Sequence, residues 1–167
     1  MSFTIGVITA SDKGSVGERK DTSGPLIAEL LKDIGGILKE YIIVPDEREK
    51  IANALRSMCD DANIDVIFTT GGTGFSPRDV TPEATLDVVD RLAPGISEAI
   101  RMKSLSITPK AMLSRAVSGI RKQTLIINLP GSPKGVRESL EVILPALSHG
   151  IGILKGVEGE CGNDHKK

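Results

Sequence analysis

Residues 65–83, DVIFTTGGTGFSPRDVTPE, join an apolar run, three glycines within four positions, an Arg78-Asp79 pair and a helix start. Val66-Ile67-Phe68 suits a buried parallel strand. Gly71, Gly72 and Gly74 let backbone approach a bulky group without interference from a Cβ atom. Asp79 then supplies a carboxylate beside a cation, Arg78. Strand, glycine loop, acid and helix N-terminus together read as a place where phosphates meet a metal ion. The loop Gly71-Gly72-Thr73-Gly74 is neither a Walker-type phosphate loop nor a dinucleotide fingerprint. Two plainer readings stand beside this one: glycines after a strand also make tight turns, and Asp79 would favour the dipole of the following helix without touching a ligand.

Other residues offer matching chemistry. Asp46 follows Ile42-Ile43-Val44-Pro45 and is either a turn residue or a second acid near the metal. Two carboxylates can hold a Mg²⁺ that also takes phosphate oxygens and waters. Ser11-Asp12 and Asp21-Thr22-Ser23-Gly24 make turns and caps or belong to the same rim. Ser114 and Arg115 present a hydroxyl and a guanidinium, the latter either a phosphate clamp or a solvated side chain. Asn128, set within Leu125–Leu129, must find hydrogen-bond partners if buried, from a loop or from a ligand. Pro130-Gly131-Ser132-Pro133 offers backbone N–H groups near a helix start, a second potential anion site.

These residues need a scaffold, and the hydrophobic pattern predicts one. Phe3–Ala10, Ile37–Val44, residues 65–70, Ser118–Arg121 and Thr124–Leu129 read as strands, the last two joined by a tight Lys122-Gln123 turn. Helical spacing marks Ile27, Leu30, Leu31 and Ile34; Ile51, Ala54, Leu55 and Met58; Leu86, Val89 and Leu92; Ile96 to Leu105; and a long stripe from Val136 to Ile151. Thr81-Pro82-Glu83 reads as an N-cap, a first-turn proline and a first-turn acid, with Pro94-Gly95 ending that helix. Strands alternating with helices imply an α/β fold of three layers, α/β/α. Its sheet would be mostly parallel, with a late antiparallel hairpin at one edge. In such a sheet the ligand lies beyond the carboxyl ends of the strands, so Ser11, Asp46, Gly71 to Gly74 and Pro130 to Ser132 should converge on one rim.

Composition narrows the chemistry. At 167 residues, with 40% hydrophobic and 26% charged residues, the chain reads as one domain over 1–156 followed by a polar, flexible tail over 157–167. A net charge of −1 and few aromatic residues argue against a nucleic-acid partner. No apolar stretch approaches the roughly 20 residues of a membrane span, and no leader is evident, so a cytoplasmic protein is expected. Cys59 and Cys161 read as a helix thiol and a tail thiol in a reducing compartment. The only histidines, His149 and His165, cannot assemble a zinc site or a His-based nucleophile relay. Carboxylates, hydroxyls, backbone amides and a hard cation remain.

Together these stretches resemble the molybdopterin adenylyltransferases of the MogA type, also found as the small domain of molybdenum-cofactor fusion proteins of plants and animals. The likeness runs from Ile5 to about Ile153. It rests on Thr70 to Thr85, Pro45-Asp46, Ala111 to Arg115, and Leu125 to Pro133. The resemblance implies transfer of AMP from Mg-ATP to the terminal phosphate of molybdopterin, with release of pyrophosphate. By the same likeness Asp46 and Asp79 are the catalytic, metal-directed acids, and Gly71, Gly72, Thr73 and Gly74 face the nucleotide. Ser114, Asn128, Pro130, Gly131 and Ser132 belong to the molybdopterin and phosphate side. The likeness further implies a homotrimer, with a molybdate-insertion enzyme as candidate recipient of the product. The alternative is a non-catalytic molybdopterin-binding or scaffolding module of the same fold, which would have no need of two metal-directed carboxylates.

Overall fold

In Phe3–Ala10 apolar side chains point both ways, as a strand covered on both faces requires. The computed structural model describes residues 2–157, and there this segment is β1, lying between two parallel neighbours. These are β2 (Gly36–Val44) and β3 (Val66–Thr70). β3 pairs in parallel with β6 (Thr124–Leu129); β5 (Ser118–Arg121) and β4 (Arg91–Leu92) follow antiparallel, giving the order β2-β1-β3-β6-β5-β4. The tail expected at 157–167, with Cys161 and His165, lies outside the described residues from 158 onward.

Among the described residues six α-helices, with a short 3-10 turn at Pro109–Leu113, connect and cover this sheet: α1 (Asp12–Ser15), α2 (Ser23–Lys32), α3 (Arg48–Asp60), α4 (Thr81–Leu86), α5 (Pro94–Leu105) and α6 (Pro133–Leu154). Phe3, Ile5, Val7, Val66, Phe68 and Ile127 pack with Ile27, Leu31, Ile100 and the α6 stripe in one apolar layer. Ile8, Ile67 and Ile126 pack with Ile51, Leu55, Met58 and Ala84 of α3 and α4 in the other. Neighbouring positions of one strand thus feed opposite layers, the period of two expected of a strand. Each fully buried aliphatic side chain contributes about 1.5–3 kcal/mol, so these two layers are the main source of stability. Cys59 is buried on α3, and burial pushes its thiol up to about 11, which leaves it unreactive. No helix among the described residues is long and apolar enough to cross a membrane.

The three-layer sheet and the antiparallel hairpin match expectation, as does the Lys122 turn, where φ is 53°. Three local expectations need correction. The helix expected to reach Leu92 stops at Leu86. Leu92 belongs instead to β4, where the N–H groups of Asp90 and Ala93 donate to the carbonyls of Ile120 and Ser118. Pairing with the hairpin outcompetes continuation of the helix, and β4 takes the sheet edge. Thr81 is the first helical residue rather than the cap; its hydroxyl is buried and accepts no capping bond. The loop expected after β1 forms the single turn α1, capped by Ser11, whose Oγ accepts from the Gly14 N–H at 3.0 Å.

One carboxylate ties three elements together. Asp21 Oδ2 accepts from the hydroxyls of Thr9 on β1 (2.5 Å) and Tyr41 on β2 (2.6 Å). Asp21 Oδ1 accepts from the N–H groups of Ser23 and Gly24 and so caps α2. A Cβ on Gly24 would come within 2.5 Å of this carboxylate, which explains the glycine. Burial raises the Asp21 carboxyl, but the donations from Thr9, Tyr41, Gly24 and Ser23 outweigh it and hold the group below the usual carboxylate range. Because the folded value is depressed, the stabilisation is complete above about pH 4, the unfolded value, and is lost as pH falls through the folded one. Asp21→Asn should therefore be less stable than the parent protein at neutral pH and show a smaller loss of stability on acidification, checked by urea unfolding at pH 7 and below pH 4.

Candidate functional site

The carboxyl ends of β1, β3 and β6 meet at very short range, and only glycines permit it. Gly71 has φ 93°, and a Cβ there would lie 2.5 Å from the Ala10 carbonyl oxygen. A Cβ on Gly131 would lie 3.3 Å from the Gly71 Cα. Hydrogen bonds fix the crossing: Thr70 Oγ1 donates to the Pro130 carbonyl at 2.7 Å, and Ser23 Oγ to the Gly131 carbonyl at 2.8 Å. The expected convergence of Ser11, Asp46, Gly71 and Gly131 on one rim is what the structure displays.

Two adjoining cavities open on this rim. The first, about 490 Å³, is of mixed polarity and is lined by Ser11, Arg19, Lys20, Asp46, Gly71 and Gly72 among others. The second, about 520 Å³, is more apolar and includes Ile107, Leu113, Ser114, Lys110 and Lys134 in its wall. Ser132 lines both. The glycine loop is the partition, since Gly71 and Gly72 face the first cavity whereas Thr73 and Gly74 face the second. Residues 71–74 thus do not present one continuous surface to a single ligand.

Asp46 and Asp12 hold each other reciprocally. The Asp12 N–H donates to Asp46 Oδ2 at 2.9 Å, and the Asp46 N–H donates to Asp12 Oδ1 at 3.0 Å. Arg78 closes over Asp12 with a two-point contact, Nε to Oδ2 at 3.0 Å and Nη2 to Oδ1 at 2.7 Å. The bonds from Arg78 hold the Asp12 carboxyl below the usual carboxylate range. Asp46 moves the other way. Burial raises it, and the negative charges of Asp12 and Asp79 add to burial, against the Asp12 N–H and the Arg78 cation. Asp79 is held by its own loop: Oδ2 accepts from the Ser76 N–H at 3.0 Å, and a Cβ on Gly74 would lie 2.9 Å from that oxygen. Gly72 gives the matching clearance to Asp46, whose Oδ1 would lie 3.2 Å from a Cβ there.

This donor set fits a hard cation shared with a ligand. Asp46 and Asp79 are close enough for one charge to raise the other's carboxyl, and missing Cβ atoms leave room beside both. Among the described residues no group of three or more His, Cys, Asp or Glu is placed to hold a metal unaided. Two acids completed by phosphate oxygens and water is the ordinary arrangement for Mg²⁺.

Asn128 and Arg115 take roles that sequence left open. Asn128 is buried at the wall of the second cavity, and its amide is engaged internally. Nδ2 donates to the Thr69 and Thr85 hydroxyls at 2.8 and 2.9 Å, while Oδ1 accepts from the Val117 N–H at 3.2 Å. Arg115 is neither a phosphate clamp nor a solvated side chain. Its Nε donates to the Gly74 carbonyl at 2.7 Å, its Nη2 to the Asp79 carbonyl at 2.6 Å, and its Nη1 to Glu83. It braces the glycine loop from behind. Asp12 and Arg19-Lys20 are further rim residues that received little or no weight in sequence, because a short polar stretch carries no periodic signal.

Comparison with known proteins completes the picture. The profile of the family described as a probable molybdopterin binding domain matches residues 6–149. A molybdopterin adenylyltransferase of Helicobacter pylori strain J99 is 46% identical over 154 residues, covering 91% of this chain and 88% of the relative. The molybdopterin adenylyltransferase of Escherichia coli K12 is 42% identical over 156 residues, covering 90% and 80%. The crystal structure of the molybdopterin biosynthesis enzyme MoaB from Thermus thermophilus superposes with a TM-score of 0.88 at 49% identity, covering 92% of this chain and 97% of that one. In fold and across most of its length, the chain belongs to the family of probable molybdopterin binding domains.

Proposed function

We propose that this protein is a molybdopterin adenylyltransferase: it joins AMP from ATP to the terminal phosphate of molybdopterin and releases pyrophosphate. The observation that carries the reading is the pair of adjoining cavities on either side of the glycine loop, one of mixed polarity with Asp46 and cationic side chains, the other more apolar with Ser114 and Lys110. The relatives named for this activity support it. ATP takes the first cavity with its α-phosphate at Gly71 and Gly72, where Gly131 also lies; the pterin takes the second, with Ser114, Pro130 and Ser132 on its phosphate side and Asn128 holding the wall behind them. We further assign Mg²⁺ to Asp46 and Asp79, one domain to residues 1–156, and a cytoplasmic setting. We propose a homotrimer as well, with the exposed apolar side chains of Met102, Leu105 and Met112 as a surface on which a further copy could pack. We also propose that the product passes to a molybdate-insertion enzyme.

The chemistry asks little of acid–base groups. A phosphate oxygen of molybdopterin, already anionic at neutral pH, forms the new bond to the α-phosphorus. The bond from that phosphorus to the β-phosphate bridge oxygen breaks, and pyrophosphate leaves with the electron pair. When bound, Mg²⁺ supplies charge neutralisation for the phosphates. The chain itself positions the two anions, aims backbone N–H groups through the side-chain-free loop, and keeps two carboxylates ready for the cation.

Two outcomes are expected. Asp79→Ala should still bind molybdopterin but lose at least about 100-fold in pyrophosphate release, in line with removal of one aimed electrostatic group. Retention of parental turnover would remove Asp79 from the mechanism. Because the Asp46 carboxyl is raised, its protonation competes with Mg²⁺ at a higher pH than for an ordinary carboxylate, so apparent Mg²⁺ affinity should decline early on acidification. Asp12→Asn removes one of the charges that raises Asp46 and should move that decline to lower pH, read from Mg²⁺ titrations of activity across a pH series.

A further inference from the structure

The loop that carries Asp79 is braced from the pterin side. Ser114 lines the second cavity, and the next residue, Arg115, donates its backbone N–H to the Thr73 carbonyl at 2.9 Å. Its guanidinium spans the loop, taking the Gly74 and Asp79 carbonyls with two separate nitrogens and Glu83 with the third. Both ends of the segment that holds the catalytic carboxylate are therefore fastened to one side chain. That side chain is two-thirds buried and planar, so its three bonds are geometrically linked. Arg78, the arginine of the loop itself, is occupied by Asp12 and does not share this task.

A second connection runs the same way. Asn128, at the wall of the second cavity, donates to Thr85, whose hydroxyl in turn donates to the Thr81 carbonyl at the start of α4. Glu83 stands in that same turn, with Oε1 on Arg115 and Oε2 buried without a hydrogen-bond partner. The Thr81 N–H donates to the Gly72 carbonyl at 3.1 Å, which returns the connection to the loop. The pterin-side wall and the nucleotide-side loop form one hydrogen-bonded body, with Arg115 as its shortest link.

We propose that Arg115 is a positioning residue that couples the two cavities, so that a pterin phosphate seated beside Ser114 sets the glycine loop and Asp79 for the nucleotide. The proposal rests on the substrate assignment above. Energetic coupling of this kind is reciprocal, so each ligand should tighten the other by the same factor.

The test is a binding experiment that needs no turnover. Calorimetry measures the affinity of the intact protein for a non-cleavable ATP analogue with Mg²⁺, with and without saturating molybdopterin. The parent protein is expected to bind the analogue at least about five-fold more tightly when molybdopterin is present, the lower end of ordinary coupling. In Arg115→Lys, whose point charge cannot reach three acceptors in one plane, the ratio should fall toward one while molybdopterin alone still binds. In turnover the same variant should lose kcat with little change in the KM for molybdopterin. Glu83→Gln, which loosens the brace without touching the loop, should show an intermediate ratio and decides the matter if the arginine variant unfolds. A parent protein without coupling, or variants that keep the full ratio, would overturn the proposal. A parent protein that couples its ligands yet releases no pyrophosphate would instead overturn the adenylyl-transfer reading and leave the coupling intact.

Discussion

The crowding of strand ends at the Ala10 carbonyl governs the rest of the site. β1, β3 and β6 are neighbours in a twisted parallel sheet, so their carboxyl ends must pass each other where the chain turns to its helices. Positive φ at Gly71 and Gly72, together with missing Cβ atoms at 71 and 131, lets the backbones cross almost in contact. Any side chain at these positions would push the loops apart and separate the two cavities. The glycines are thus primarily a packing solution to the crossing of the strand ends.

Electrostatics at the rim follows from that packing. Three carboxylates, Asp12, Asp46 and Asp79, are gathered near one another, and a single guanidinium, Arg78, covers only the first. Asp46 is left with burial and like charge both opposing ionisation. Such an imbalance is unfavourable in an isolated fold, and a cation placed beside these acids would relieve it. The reciprocal bonds between Asp12 and Asp46 keep the acids from rotating away from each other to escape it.

Much of this was legible in the chain. Strand positions, the long α6 stripe and the rim location followed from periodicities of 2 and 3.6 and from the rule that ligands sit beyond parallel strand ends. The two-residue strand at Arg91–Leu92 was not legible, because its existence depends on a hairpin partner some thirty residues later. Asn128 reads from sequence as a polar group in need of partners, and Thr69, Thr85 and Val117 supply them. Thr69 could be expected beside it from strand register, but Thr85 could not, since it arrives from a helix on the α4 face. Arg115 was the least readable residue. Local sequence offers a guanidinium after a serine and nothing to indicate three acceptors contributed by residues 74, 79 and 83.

That last arrangement bears on how such a site can be inherited or moved. The glycine-loop sequence is contiguous, but the shape of the loop is specified in part by a side chain more than thirty residues downstream and by a carboxylate on the helix that follows. Grafting residues 70–80 onto another sheet would carry the motif without the brace. In this chain the unit that fixes the loop's shape is the loop, α4 and the segment around Arg115 taken together.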